Sequence, residues 1–146
     1  MAHLAVDAWE SLLRAQVTLM KAFAEDFRDS PVTMQEYDVL YTLSRCPGGR
    51  TRLRELADNT RLSQPGLSRL VERMEHDGLV ARERDPRDGR GTVVGLTERG
   101  GEVQRAVGRV HARSIVARVA GSLTAEEQAE LARLCTKLRT SAPEPG

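Results

Sequence analysis

Residues 62–100 read LSQPGLSRLVERMEHDGLVARERDPRDGRGTVVGLTERG, and this stretch decides the fold. Leu67, Leu70, Val71 and Met74 recur at three- and four-residue steps, so a helix over about 64–77 buries one stripe. Ser63 is a good N-cap, Pro65 suits the first turn, and Gly78 ends the helix as a C′ glycine. Leu79 to Arg84 then alternates as a strand. Asp85-Pro-Arg-Asp-Gly-Arg-Gly91 is dense in turn residues, and Thr92 to Leu96 returns as a second strand. The order is an amphipathic helix beside a β-hairpin with an extended, arginine-bearing tip.

Upstream, the pattern is helical. Leu4, Trp9, Leu12, Leu13, Val17, Leu19, Met20, Phe23 and Phe27 predict a long helix over about 4–28, broken by Asp29-Ser30-Pro31. Thr33-Met-Gln-Glu36 is a capping box for a second helix with Met34, Tyr37, Leu40 and Leu43 inward. Cys46-Pro-Gly-Gly49 ends it. A short third helix, about 53–59, turns Leu53, Leu56 and Ala57 inward, although Arg52 stands where Ser or Thr would cap better. Downstream, Thr97 opens a helix to about 120 with Val103, Val107, Val110 and Ile115 near one stripe. Thr124-Ala-Glu-Glu127 caps a last helix carrying Leu131, Leu134 and Leu138. Residues 141–146 read as a disordered tail.

The third helix, a turn and the fourth helix make a helix-turn-helix, and the hairpin makes it winged. The fold class is mainly α with a small β-hairpin wing (α+β). One domain spans 1–140: a winged core over about 33–97, flanked by helices at about 4–28 and 97–139. In such a unit the start of the second helix faces base edges. With the buried stripe removed, Ser63, Gln64, Pro65, Ser68 and Arg69 remain outside. Gln pairs twice with adenine and Arg twice with guanine. Ser63 and the first-turn amides suit a phosphate. Arg73, one turn beyond Arg69, suits phosphate better than a base.

At the hairpin tip, Arg90 is fitted to a narrow minor groove, whose negative potential attracts arginine. Asp88, two residues earlier in a tight turn, is placed to hold that guanidinium in one pose. Arg87 is a second tip candidate. Arg82 and Arg84 on the strand are candidates for phosphate. Acidic residues intersperse these arginines at Glu83, Asp85 and Asp88, so a merely charged surface hairpin is the alternative.

Composition sets the outer limits. The formal charge is +1, with 22 basic and 21 acidic residues, so bulk charge does not announce a polyanion partner. Yet only Lys21 and Lys137 among the basic residues are lysine. Arginine forks phosphate and enters grooves, although GC-rich codon usage alone also favours it. Aromatics are 3%, too few for a single-strand stacking platform. No apolar run of membrane length exists, and the acidic N-terminus is no signal peptide, so a cytoplasmic chain is expected. Cys46 and Cys135 match no metal-ligand spacing, and small buried side chains are the simpler reading. Phosphate-loop, zinc-hydrolase and serine-elbow motifs are missing, so neither an enzyme nor a metal or other cofactor is expected.

The chain resembles the MarR family of winged-helix transcription regulators. The resemblance rests on MQEYDVLYTLS, on LRELADNTRLSQPGLSRLVERMEHDGLVARERD and on DPRDGRGTVVGLTERG, and element order matches over nearly all of the chain. It implies a homodimer on a palindromic double-stranded operator, usually a repressor, often released by a small phenolic or other organic effector. It gives Asp88 and Arg90 the wing-tip roles, and Gln64, Pro65, Ser68 and Arg69 the major-groove roles. Gly89 departs from it, since members often carry a second basic residue there.

Two winged units about one helical turn apart (~34 Å) make a usable site. The outer helices have no DNA task, so their apolar stripes are expected to pair with a second chain. An effector pocket between them and the winged unit would draw on Trp9, Leu13, Met34, Tyr37, Tyr41 and His111, each of which also reads as ordinary core. The alternatives are a winged-helix dimer serving as a protein-interaction module, suggested by the weak net charge, or an activator.

Overall fold

Thr33 does what its spacing predicts. Its hydroxyl accepts from the Glu36 amide at 3.1 Å, while the Glu36 carboxylate accepts from the Thr33 amide at 2.9 Å. Helix α2, Met34–Ser44, starts from this reciprocal cap. A computed structural model describes residues 1–60 and 62–141. Arg61, in the predicted inter-helix turn, and residues 142–146 of the predicted tail lie outside the described residues. The chain divides into two compact units, Met1–Val110 and His111–Gly146, with the division inside one helix.

The first unit opens with α1, Ala2–Phe23, which tightens into a 3₁₀ turn, Ala24–Phe27. After α2, Pro47–Gly49 turns with positive φ at Gly48 and Gly49, a conformation glycine reaches without a Cβ penalty. Strand β1, Arg50–Arg52, then runs directly into α3, Leu53–Asp58. Helix α4, Gln64–His76, is capped by Ser63, whose hydroxyl accepts from the Gly66 amide at 3.2 Å. Gly78, at φ 77°, ends it. Strands β2, Val80–Arg84, and β3, Thr92–Leu96, form the predicted hairpin, with Val80 opposite Leu96 and Arg84 opposite Thr92.

The sheet departs from the expected two strands. Strand β1 pairs antiparallel with β3, giving the order β1-β3-β2, with Arg50 opposite Gly95 and Arg52 opposite Val93. Three residues are too few for an alternating pattern, and their pairing energy comes from a partner some forty residues away. The wing is thereby tied to the start of α3.

Helix α4 forms because its apolar stripe has a core to meet. Leu67, Leu70, Val71 and Met74 are all buried, with Leu40, Leu43, Leu56, Val80 and Val94 against them in one cluster. Val39, not among the expected inward positions, is buried as well, whereas Met34 is half-buried. Removing water from such a side chain contributes about 1.5–3 kcal/mol. The α4 face opposite is left polar and exposed.

Helix α5, Glu98–Val119, joins this core through Val107 and Gly100. In the second unit, Thr124 makes the other predicted capping box and opens α6, Ala125–Thr140. The α6 residues Leu131, Leu134 and Leu138 are exposed. Among the described residues, no helix is long and apolar enough to cross a membrane.

Candidate nucleic-acid interface

On α4 the structure separates readers from core as the 3.6-residue period requires. Gln64, Pro65, Arg69 and Arg73 are exposed, Ser68 is half-buried, and Leu67, Leu70, Val71 and Met74 point the other way. Pro65, Arg69 and Arg73 follow at four-residue steps, so they share a face. The first turn has little left for an anion. Ser63 Oγ accepts from Gly66, the Ser63 carbonyl accepts from Leu67 at 2.9 Å, and Pro65 has no N–H. Of the first-turn amides expected to hold phosphate, only that of Gln64 stands outside these bonds.

Arg82 and Glu75 join this helix to the wing. The Arg82 Nε and Nη2 donate to Glu75 Oε1 at 3.1 and 2.9 Å, and the Arg82 amide donates to Oε2 at 2.8 Å. The hydrogen bonds from Arg82, its amide foremost and then its side chain, hold the Glu75 carboxyl below its ordinary value despite some desolvation. A guanidinium committed in this way braces β2 on α4. Arg82, expected to meet phosphate, is thus engaged with Glu75 in this structure.

The wing turn is built from two carboxylates. Asp85 Oδ1 accepts from the Arg87 amide at 2.9 Å, and Asp88 Oδ1 accepts from the Arg90 amide at 3.1 Å. The backbone closes around them, with the Asp85 amide on the Gly91 carbonyl at 2.9 Å and the Gly91 amide on the Asp88 carbonyl at 2.8 Å. Asp88 was expected to grip the Arg90 guanidinium. It holds the Arg90 backbone instead, because an Asp side chain reaches the amide two residues on more readily than a long side chain's end. Arg90, Arg87 and Arg84 are exposed.

Asp85 is the residue that the sequence reading missed. It is buried at 4% exposure, and its Oδ2 lies 2.7 Å from Arg52 Nε. The approach is off the N–H axis, so the contact is an ion pair without an aligned hydrogen bond. The Arg87 amide does most to hold this carboxyl below the usual carboxylate value; burial opposes it and the Arg52 charge assists. Arg52, read as a poor helix cap, therefore has another task. It fixes the base of the wing to the start of α3. The one available signal was an unmatched acid in a turn facing an unmatched base before a helix.

Both lowered carboxyls stabilise the fold above their ordinary values of 4.5 for Glu75 and 3.8 for Asp85. That contribution is lost as pH falls through their lower folded values. Glu75→Gln is expected to lower the melting temperature near neutrality and to flatten its acid-side decline. Melting curves across the acid range, identical in slope for the two proteins, would remove this pair from the account.

Between the start of α4 and the wing lies a cleft of about 200 Å³, lined by Arg52, Arg54, Gln64, Asp85, Asp88 and Arg90 among others. It brings a predicted helix reader and the predicted wing reader to one opening. Gly89 has no atom within 4 Å of where a Cβ would stand, so packing does not demand glycine there.

The residues expected to line an effector pocket differ in burial. Tyr37 is buried, stacks on Tyr41 at 6.2 Å and meets Phe27 at 5.6 Å. Burial pushes its hydroxyl pKa up, while a hydrogen bond with Gln104 opposes the rise. Trp9 and Tyr41 are exposed at 57% and 47%, Leu13 and Met34 are half-buried, and His111 belongs to the second unit. Cys46 and Cys135 are half-buried free thiols, and Cys46 Sγ donates to the Thr42 carbonyl at 3.3 Å.

Comparison with known proteins matches this arrangement. The MarR family model covers residues 30–91, which include α3, α4 and most of the wing. A helix-turn-helix transcriptional repressor of Mycobacterium tuberculosis is 32% identical over 107 residues, 73% of this chain and 75% of the relative. The chain belongs to the MarR family. The crystal structure of AbsC, a MarR family transcriptional regulator from Streptomyces coelicolor, is 33% identical, with a TM-score of 0.79 over 92% of this chain and 93% of that one. Sco3205, another MarR regulator from that organism, was solved in complex with DNA; it is 30% identical, with a TM-score of 0.83 over 95% and 89% of the two chains. This MarR protein is thus a DNA-binding transcriptional regulator of winged-helix fold, and its relatives are regulators rather than enzymes.

Proposed function

We propose that this MarR protein is a homodimeric, sequence-specific repressor of a palindromic duplex operator, working in the cytoplasm beside the chromosome it reads. The observation that carries the reading is the single opening shared by Gln64 of α4 and Arg90 of the wing, with each element braced to the other. Gln64, Pro65, Ser68 and Arg69 read base edges in the major groove, and Arg73 anchors phosphate. Arg90 enters the adjacent minor groove, with Arg84 and Arg87 on the flanking backbone. Asp88 and Ser63 shape the backbone that presents these groups, and Arg82 is a brace.

Pairing is supported by apolar side chains that each unit leaves exposed. On α1 these include Leu4, Val6, Trp9 and Val17, and on α6 Leu131, Leu134 and Leu138. Repression is supported by the mycobacterial relative, which is named a repressor. A small organic effector is assigned to the Tyr37 and Tyr41 neighbourhood, where a buried hydroxyl stands beside an exposed ring.

Selection of duplexes from a random pool tests the whole reading. The enriched sequence is expected to be palindromic, with half-sites about one helical turn apart. Enrichment of a single half-site without symmetry would remove the dimeric operator. No duplex binding even at low salt would return the chain to a protein-interaction role, because phosphate neutralisation makes DNA binding strongest there.

A further inference from the structure

We propose that Arg54 on α3 is a phosphate clamp for the DNA strand that passes between the recognition helix and the wing. The inference rests on the DNA-binding reading above and adds a residue to it. A helix in a major groove and a wing in the next minor groove are separated by one sugar-phosphate backbone. That strand must cross the gap between the start of α4 and the wing tip. The gap is the cleft of about 200 Å³, whose lining includes Gln64 of α4, Arg90 of the wing and Arg54 of α3.

Arg54 is the basic residue of α3 left available there. Arg50, Arg52 and Arg82 each hold a carboxylate, namely Glu83, Asp85 and Glu75. Arg54 is exposed and has no carboxylate within ion-pair distance among the described residues. Asp85, the buried acid of the cleft, is already matched by Arg52, so among the described lining residues of this cleft Asp88 is the acid left beside Arg54 and Arg90. The α4 first turn leaves the phosphate only the Gln64 amide, since Ser63 takes the Gly66 and Leu67 amides and Pro65 offers none. Positive charge must then come from side chains. A guanidinium fork grips a phosphate through two parallel N–H donors.

The test measures binding of the wild type, Arg54→Ala and Arg54→Lys across a range of salt. The probes are a duplex selected by the wild type and a scrambled duplex of equal length. A clamp predicts that Arg54→Ala weakens both probes by a similar factor, several-fold at moderate salt. It also predicts that the slope of log K against log salt falls by about 0.9, one phosphate's worth. Arg54→Lys is expected to restore that slope, because the charge is retained. Unchanged affinity and slope in Arg54→Ala, with Arg90→Ala impaired, would overturn the clamp and leave the DNA-binding reading standing. A loss confined to one base position of the selected duplex would overturn it too, by making Arg54 a base reader. If the wild type shows no salt-dependent binding to either probe, the clamp and the reading beneath it both fail.

Discussion

Gly100→Ala is expected to destabilise the protein by about 3 kcal/mol or more, lowering the melting temperature by about 10 °C. A Cβ at Gly100 would stand 1.9 Å from the Leu79 carbonyl oxygen and 3.0 Å from its carbon. Those are backbone atoms, so no rotamer change relieves the overlap. The local bonds hold them in place. Thr97 Oγ1 accepts from the Gly100 amide at 3.0 Å and donates to the Gly78 carbonyl at 2.6 Å, and the Thr97 amide donates to Leu79 O at 3.2 Å. Relief therefore means pulling the start of α5 away from the turn that joins α4 to β2. Gly101→Ala is the control. Its Cβ meets only the flexible end of Arg105, at 3.3 Å, and alanine favours helix over glycine by about 1 kcal/mol. Thermal unfolding is expected to separate the two variants widely. Equal melting temperatures would show that the α5 junction yields where these contacts say it cannot.

That junction also shows why part of the fold was legible in the chain and part was not. Local chemistry announced itself. Both capping boxes, the α4 stripe, the Ser63 cap, the Gly78 stop and the two wing strands formed as their spacing predicts. Each depends on residues within about one or two turns of one another. Gly100 looks like a helix glycine, since its reason is a carbonyl 21 residues earlier in the chain. Strand β1 was hidden for the same cause, because its partner β3 is distant and three residues show no period.

The site divides along the same line. The exposed face of α4 follows from subtracting buried positions, so its members were readable. The wing's bracing was not. Arg52 was judged by the cap it fails to make, and its partner Asp85 is 33 residues away. Arg82 and Glu75 are only seven residues apart, yet Gly78 reverses the chain between them and a linear pattern of charges hides the pairing. Arg54 escaped notice because the reading placed DNA contacts only on the recognition helix and the wing. Its standing depends on what its neighbours' charges are already doing.

The second large effect is expected at Arg69. Arg69→Ala should weaken the selected duplex by about 1–3 kcal/mol, roughly 5- to 150-fold, while leaving the scrambled duplex nearly unaffected. Arg69 is exposed on the face that follows Pro65 by one turn, and a guanidinium there can bond a guanine through two acceptors. Alanine removes both bonds, so discrimination at that base should collapse while phosphate contacts persist. Arg90→Ala provides the contrast. Its target is the potential of a narrow minor groove, so the loss should track A·T-rich narrowing at the position the wing reaches rather than one guanine. Competition binding against every single-base variant of the selected duplex reads both patterns at once. A base reader flattens one position of that profile, and a groove reader changes its dependence on groove width. An Arg69→Ala protein whose profile is merely scaled down, with every position still discriminated as before, would remove Arg69 from the readers and make it another backbone contact.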